Sequence, residues 1–511
     1  MRMKYKNLGI KFNFLANKFG DNICLDLNYK KVTFKELDKV SNQISNYFIK
    51  LKYRENDNIC ISSRKNIISY AIIISCLKLG ISFTFLDRNS PNNRIKKILK
   101  SLKSKVIISE KKINLNYKNL TIKNLNKEIK KQKNILNKKY LNKIKPKTIA
   151  YVMFTSGSTG FPKGVAIRHS NVIAFSEWCR TEYKINSKDA VTNLNPLFFD
   201  NSIFDIFGGL FNGAKLIPFH RYELLNPKIV IKKILLSKAT IWFSVPSLLV
   251  YLLSFNTFNK KNTRGLKKII FGGEGFPKSK LKKLYNSISK KIKLINVYGP
   301  TECTCICSSY KITDYDFKKN QIDKYAPFGK KLAKNFYMII LNENNKKVKK
   351  GEIGELIIGG KNVGAGYYNL PTETKKNFIK NPFSKNYNDI VYKTGDLVYQ
   401  DRIGNIYFAS RKDNQIKYMG YRIELEEIEQ AIGRLLNVRE NAVGYGKKEN
   451  INQIVCWISH TSNIDKIKTN LEKFLPPYMI PKKFIELKNL PKNQNGKINR
   501  KKLALEYFDG K

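Results

Sequence analysis

From about Val32 to Phe271, segments whose apolar residues recur at helical spacing alternate with short, continuous apolar runs of strand length. That alternation predicts an α/β fold in which helices cover both faces of largely parallel sheets. The longest apolar stretch, Ile67 to Leu86, has about the ~20 residues that a membrane-spanning helix needs. Lys78 lies inside it, however, and Gly80 follows Leu79 where a helix C-cap would fall. The pattern therefore predicts a buried helix from Asn66 to Leu79 and then a strand from Ile81 to Leu86, without membrane insertion. Between Ser101 and Lys147 the chain is rich in Lys and Asn and closes on Pro146, which reads as variable surface structure. Near Arg411 a second unit begins. Its long helical signal, Ile423 to Leu435 with Glu424, Glu426, Glu427 and Glu429, predicts a solvated-face helix in a small α+β domain.

At 511 residues the chain exceeds one compact core, so a large domain over 1–411 and a small one over 412–511 are expected. The first twenty residues mix lysines with apolar positions and lack the profile of a secretory signal, so the expected location is cytoplasmic. The formal charge of +57, from 96 basic against 39 acidic residues, would ordinarily suggest a polyanionic partner. Here the lysines are spread along the whole chain together with Asn and Ile. The excess reads as compositional bias rather than a nucleic-acid footprint, although a basic surface would steer acidic partners. Eight cysteines show no CxxC spacing, so neither a zinc site nor a disulfide framework is implied. Cys303, Cys305 and Cys307 alternate, and with three histidines in the chain they read as one face of a strand rather than as metal ligands.

The sharpest chemical signal is Tyr151-Val-Met-Phe-Thr-Ser-Gly-Ser-Thr-Gly-Phe-Pro-Lys-Gly164, where a strand breaks into a loop of Gly, Ser and Thr and ends on a lysine. Such a loop offers backbone N–H groups, hydroxyls and a cation to phosphate oxygens. It lacks the Walker spacing GxxxxGK[ST].

Further motifs follow: Asn296-Val-Tyr-Gly-Pro-Thr-Glu302, Gly354-Glu-Leu-Ile-Ile-Gly359, Tyr392-Lys-Thr-Gly-Asp396, Arg411-Lys-Asp-Asn-Gln-Ile-Lys417 running into Gly420-Tyr-Arg-Ile-Glu424, and Asn495-Gly-Lys497. With the loop, this ordered set resembles the adenylate-forming superfamily of acyl-CoA synthetases, luciferases and nonribosomal peptide adenylation domains, over about residues 30 to 500. The resemblance implies ATP and Mg²⁺ as cofactors, a large N-terminal core, and a mobile C-terminal domain that carries a catalytic lysine. In the first step a carboxylate attacks the α-phosphorus of ATP and pyrophosphate leaves. Both reactants are anions, so charge must be neutralised and an in-line geometry held.

By that resemblance Thr155, Ser156, Gly157, Ser158, Thr159, Gly160 and Lys163 hold the β- and γ-phosphates, and Glu302 is the Mg²⁺ ligand. Thr301 donates to the α-phosphate, Tyr298 stacks on adenine, and Asp396 accepts the ribose hydroxyls with help from Arg411. Lys497 bridges the substrate carboxylate and the α-phosphate, supplying charge where the transition state develops it. For the second step, attack by a thiol, the C-terminal domain rotates about a hinge at Asp413, and the turn at Gly420 lines the thiol tunnel. Ser410 departs from the family, which usually has glycine before the arginine.

Amino-acid-activating members carry an aspartate in Phe-Asp-x-Ser that pairs with the substrate ammonium, and Phe199-Asp200-Asn201-Ser202 fits. Similar alignment makes the pocket wall Asn201, Phe204, Ser244, Gly272, Val297, Cys305 and Ile306, a small and mostly apolar set without a second charge. Phe271-Gly-Gly-Glu274 and Gly420 to Glu429 look most like the D-alanine–carrier protein ligases, which load a phosphopantetheine arm. Those enzymes usually have cysteine in place of Gly272, and the glycine is expected to enlarge the pocket. The expected acceptor is a separate, acidic carrier protein. The alternative is an acyl-CoA ligase for a non-amino acid, which requires that Asp200 take no part in substrate binding.

Overall fold

The computed structural model describes residues 5–104, 106–157, 161–318, 325–329, 336–386, 389–435, 438–449, 451–459, 464–493 and 498–510. The chain divides into two compact units. The first comprises Met1–Phe85, Lys103–Met153 and Val165–Lys412, and the second Leu86–Leu102, Phe154–Gly164 and Asp413–Lys511.

The first unit is built on two predominantly parallel sheets and one antiparallel sheet. The eight-stranded sheet runs Ser308–Lys311, Lys293–Tyr298, Lys268–Gly272, Ile241–Ser244, Ala190–Asn193, Lys215–Pro218, Ile23–Leu27 and Lys30–Thr33, with antiparallel strands at its two edges. The seven-stranded sheet centres on Asn58–Ser62 and Ser82–Phe85, paired in parallel. Aromatic contacts tie residues of the two layers into one core: Phe83 lies 5.7 Å from Tyr151, and Tyr151 stacks on Phe207 at 6.4 Å. The third sheet is antiparallel and pairs Gly354–Gly360 with Ile390–Gln400, which in turn pairs with Ile406–Arg411. Both α/β layering and parallel strands agree with the apolar periodicity.

The buried helix occupies Ile67–Leu79, as the pattern predicts. Asn66 caps its start by accepting from the Ser69 N–H, and Gly80 ends it at φ 69°, a left-handed conformation that a Cβ would disfavour. Lys78 is fully buried there without being unpaired. Its ammonium donates to Asp38 Oδ1 at 2.7 Å, Ser41 Oγ at 2.7 Å and Asn42 Oδ1 at 2.6 Å. An otherwise costly buried cation is thereby satisfied by the neighbouring Phe34–Lys50 helix. Among the described residues no helix is long and apolar enough to cross a membrane.

His169 opens the His169–Glu182 helix and accepts from the Leu8 N–H at Nδ1, 3.1 Å away. Burial lowers its pKa from 6.5 to about 3, so the folded protein holds it neutral. Its contribution is complete above pH 6.5 and is lost as the pH falls towards 3, because only the unfolded chain takes up the proton readily. Between pH 6.5 and 5.5 the expected loss is about 1 kcal/mol, close to the ceiling of about 1.4 kcal/mol per unit. Urea unfolding of the parent and of His169→Asn at both pH values checks this. The parent should lose more stability than the variant, and equal losses would count against the assignment.

In the second unit, Glu440–Lys448, Ile451–Ser459 and Lys483–Glu486 form a three-stranded sheet. Ile428, Ile432, Val443, Cys456 and Leu471 pack together in its core. The helical signal at Ile423–Leu435 is corrected here: Tyr421–Glu424 is a strand, and the helix spans only Leu425–Ile432. Its acidic face is not simply solvated either. Glu427 is buried and ion-paired with Arg94, and Glu429 receives two hydrogen bonds from Arg500, at 2.9 and 2.6 Å. The strand Gln415–Tyr418 returns through Met419 and Gly420, whose φ values of 52° and 82° make a two-residue turn with both central residues left-handed. Such a turn matches the strand twist and favours glycine at its second position.

Candidate nucleotide and acid site

In the first unit the candidate residues gather where parallel strands end. Ser244, Gly272 and Tyr298 are the last residues of three neighbouring strands of the eight-stranded sheet, and Asp200 follows the next strand, Ala190–Asn193. The C-terminal edge of such a sheet is where α/β proteins bind ligands, because loops leave it with exposed backbone donors and side chains.

On the nucleotide side, Asp396 and Arg411 face one another across paired strands. Arg411 Nη1 donates to Asp396 Oδ1 at 2.7 Å and to the Thr394 carbonyl at 2.7 Å. The Tyr298 hydroxyl donates to the other carboxylate oxygen of Asp396, and its ring stacks on Phe328 with centroids 4.4 Å apart. Burial, reinforced by the charge of Asp396, raises the pKa of that phenol well above its ordinary value, so it stays a donor. Gly299, next in the chain, has its α-hydrogen face against the backbone of the following loop. A Cβ there would lie 2.2 Å from the Cys305 carbonyl oxygen.

Thr301 and Glu302 form a single 3₁₀ turn beyond that glycine. Thr301 Oγ1 donates to Asp200 Oδ2 at 2.6 Å, which joins the residue expected at the α-phosphate to the residue expected at the ammonium. Glu302 is fully buried and accepts from the Tyr367 hydroxyl at 2.9 Å, while its carbonyl accepts from the Gly364 N–H at 2.8 Å. Among the described residues no cluster of three metal-ligating side chains occurs. A hard anionic oxygen in a single carboxylate suits Mg²⁺, which takes few protein ligands when phosphates supply the rest.

On the acid side, Val297, Cys305 and Ile306 are buried and Asn201 is half-buried. Phe204 is fully buried, its ring 4.7 Å from Phe243 and 5.6 Å from Tyr183. Ser244 Oγ accepts from the Trp242 indole at 2.8 Å and donates to the Val245 carbonyl at 3.0 Å, so its proton is used at the strand end. The expectation that Gly272 enlarges the pocket is corrected. A Cβ at 272 would meet the Val297 carbonyl oxygen at 2.3 Å, so the absent side chain leaves no space and instead allows two strands to approach. The three alternating cysteines are also corrected. Cys303 ends the 3₁₀ turn, Thr304 and Cys305 have φ of 58° and 76°, and the next strand begins only at Ser308. They are buried residues of a tight loop rather than one face of a strand, and burial raises the pKa of the Cys303 and Cys305 thiols.

Thr155, Ser156, Gly157 and Lys163 belong to the second unit, as does Gly420. There Thr155 Oγ1 donates to the Lys163 carbonyl at 3.5 Å, Ser156 Oγ to the Arg422 carbonyl at 2.8 Å, and the Gly157 N–H reaches Glu427 at 3.4 Å. Asp413 opens that unit's last segment and accepts from the Gln415 N–H at 3.3 Å. Ser158, Thr159, Gly160 and Lys497 lie outside the described residues.

Two groups escaped the sequence reading. Tyr367, which holds Glu302, sits in an unremarkable Gly-Tyr-Tyr run whose only signal is position after the Gly354–Gly359 motif. Asp205 is a fully buried acid in the apolar run after Asp200. It accepts from Asn193 Nδ2 at 2.7 Å and Asn195 Nδ2 at 3.3 Å, and Lys65 donates to the Asn193 carbonyl at 2.6 Å. Burial raises the acid's pKa and lowers that of the lysine. A lone charged residue inside an apolar segment was the available signal.

The fold and this arrangement of carboxylates, guanidinium and hydroxyl at the strand ends define a nucleotide-binding α/β enzyme. The chain belongs to the AMP-binding enzyme family: residues 12–368 match the model described as AMP-binding enzyme, and 427–497 match its C-terminal domain. It is thus an adenylate-forming enzyme of that family. It is 31% identical to Zwittermicin A synthase ZmaJ of Bacillus cereus, over 95% of this chain and 92% of that protein. With a D-alanine–D-alanyl carrier protein ligase of Bacillus licheniformis it shares 29% identity over 93% of this chain and 95% of that one. Of two much longer relatives it spans only 9% of the length. The structure superposes with a TM-score of 0.84 on NpsA-ThdA, an artificially fused adenylation–PCP di-domain NRPS from Klebsiella oxytoca. That match covers 94% of this chain and 93% of the other at 22% identity, and speaks to the fold.

Proposed function

We propose that the enzyme activates a small neutral amino acid as its aminoacyl adenylate and transfers the aminoacyl group to the phosphopantetheine thiol of a separate, acidic carrier protein. The observation that carries this reading is the carboxylate of Asp200, hydrogen-bonded to Thr301 at 2.6 Å beside a buried and mostly apolar set of side chains. A carboxylate at that place attracts an ammonium group and repels a second anion, so it favours a zwitterion over a plain carboxylate. The names of the two relatives above support a carrier-bound amino acid as product, with D-alanine one candidate.

In this reading the substrate ammonium rests on Asp200 and its carboxylate is aimed at the α-phosphorus. Thr301 donates to the α-phosphate, and Asp396, oriented by Arg411, accepts from the ribose hydroxyls while Tyr298 meets the base. Mg²⁺, held by Glu302, would neutralise charge shared among phosphate oxygens. Thr155 to Gly160 and Lys163 are assigned to the β- and γ-phosphates, and Lys497 to the developing charge. The segment 412–511 is assigned as the mobile domain, hinged at Asp413, that exchanges Lys497 for the thiol-side turn at Gly420 between the two steps. Pyrophosphate–ATP exchange with D-alanine, L-alanine, glycine, propionate and acetate tests the reading. The amino acids should stimulate exchange at least tenfold more than the acids of equal size, and equal stimulation would favour an acyl-CoA ligase.

Tyr367 gives a second test of the Glu302 assignment. Residues that orient a metal ligand typically change metal affinity 10–100-fold when removed. Tyr367→Phe is expected to raise the Mg²⁺ concentration needed for half-maximal exchange about tenfold. A Mg²⁺ titration of exchange checks it, and an unchanged midpoint would separate Tyr367 from metal binding.

A further inference from the structure

The hydrogen bond between Thr301 and Asp200 has a consequence for the order of events at the site. Thr301 is 7% exposed and begins the turn after Lys293–Tyr298, while Asp200 immediately precedes the short Asn201–Ile203 helix and leaves its carboxylate uninvolved in capping it. A hydroxyl carries one proton and can donate to one acceptor at a time. Here that proton goes to Asp200 Oδ2, at a distance typical of a strong, charge-assisted bond.

We propose that Thr301 is a coupling residue: Asp200 captures its hydroxyl in the ligand-free enzyme, and a substrate ammonium that satisfies Asp200 releases the hydroxyl to the nucleotide's α-phosphate. The inference rests on the amino-acid reading above and adds an order to it. Amino acid and nucleotide then bind with positive coupling, and linkage requires each to tighten the other by the same factor. An acid without an ammonium leaves the hydroxyl on Asp200 and gains no such coupling. Discrimination against plain acids therefore has two sources, the ion pair itself and the donor it sets free. No bond is made or broken in this step, only the direction of one O–H.

The test is a double-mutant cycle that contains no amino acid. Binding of α,β-methylene-ATP with Mg²⁺ is measured by calorimetry for the parent, Asp200→Ala, Thr301→Val and the double variant. Removing Asp200 takes away a negative charge in either background, so the charge effect cancels in the comparison. Release of the hydroxyl operates only where Thr301 is present. Asp200→Ala is expected to tighten the analogue about tenfold more in the threonine background than in the valine background. Thr301→Ser, which keeps the hydroxyl, should behave as the parent. Asp200→Asn, which keeps the shape and weakens the acceptor, should shift in the same direction and serves if the alanine variant does not fold. Equal effects of Asp200→Ala in both backgrounds, or a larger effect with valine, would overturn the proposal. The exchange panel decides the amino-acid reading by itself, so failure of one is distinguishable from failure of the other.

Discussion

Lys497→Ala should lower amino-acid-dependent pyrophosphate exchange by about 10²–10³-fold, the usual cost of removing one group that stabilises developing charge. The chain carries 96 lysines and arginines, so charge alone would never single this one out. Its assignment comes from the frame Asn495-Gly-Lys497 near the C-terminus and from what the reaction needs. As the carboxylate attacks, negative charge builds on the α-phosphate in a step between two anions. The effect should fall on adenylation alone. Supplied with preformed aminoacyl adenylate, the variant should load a thiol acceptor at a rate within a few-fold of the parent, because the second step is assigned to a different face of the mobile domain. Stopped-flow or quenched-flow measurement of both steps checks the split, and comparable losses in both would assign Lys497 to general folding instead.

The second large effect concerns selectivity. Asp200→Ala should reduce the preference for an amino acid over its desamino counterpart by 10²-fold or more in kcat/KM. Two unit charges at about 4 Å interact by roughly 4 kcal/mol at an effective dielectric of 20, before desolvation. A loss of about 3 kcal/mol corresponds to more than a hundredfold. Asp200 also holds Thr301, so part of the loss should appear as a lost amino-acid-dependent tightening of the nucleotide, which the variant binds more tightly by itself. Kinetics with D-alanine and propionate as paired substrates check it. Unaltered selectivity would remove Asp200 from substrate recognition and with it the amino-acid reading.

Where the sequence was informative, the reason was local chemistry. Asn66, Lys78 and Gly80 are enough to read a capped, buried helix where hydropathy alone suggested a membrane span, and Ile67–Leu79 is that helix. The parallel layering was legible because continuous apolar runs mark strands covered on both faces. Alternation misled at Cys303, Cys305 and Cys307, since period two also arises by chance in a loop, and Thr304 and Cys305 turn with positive φ instead of extending. Helical spacing overran at Ile423, because Tyr421–Glu424 is held as a strand by its hairpin partner Gln415–Tyr418, a pairing no local pattern reveals. Gly272 was read as missing volume, whereas which way the absent Cβ would point depends on the neighbouring strand at Val297. Tyr367 and Lys65 are separated by 65 residues and 140 residues respectively from the acids they serve, Glu302 and Asp205, and only the tertiary structure brings such pairs together.

A crystal structure with a non-hydrolysable alanyl adenylate bound tests the central claim most directly. The account predicts the α-ammonium within hydrogen-bond distance of Asp200, the ribose hydroxyls on Asp396, and the Thr301 hydroxyl turned from Asp200 to the α-phosphoryl oxygen or its sulfamate equivalent. An analogue bound with its ammonium remote from Asp200, or with its ribose away from Asp396, would contradict it.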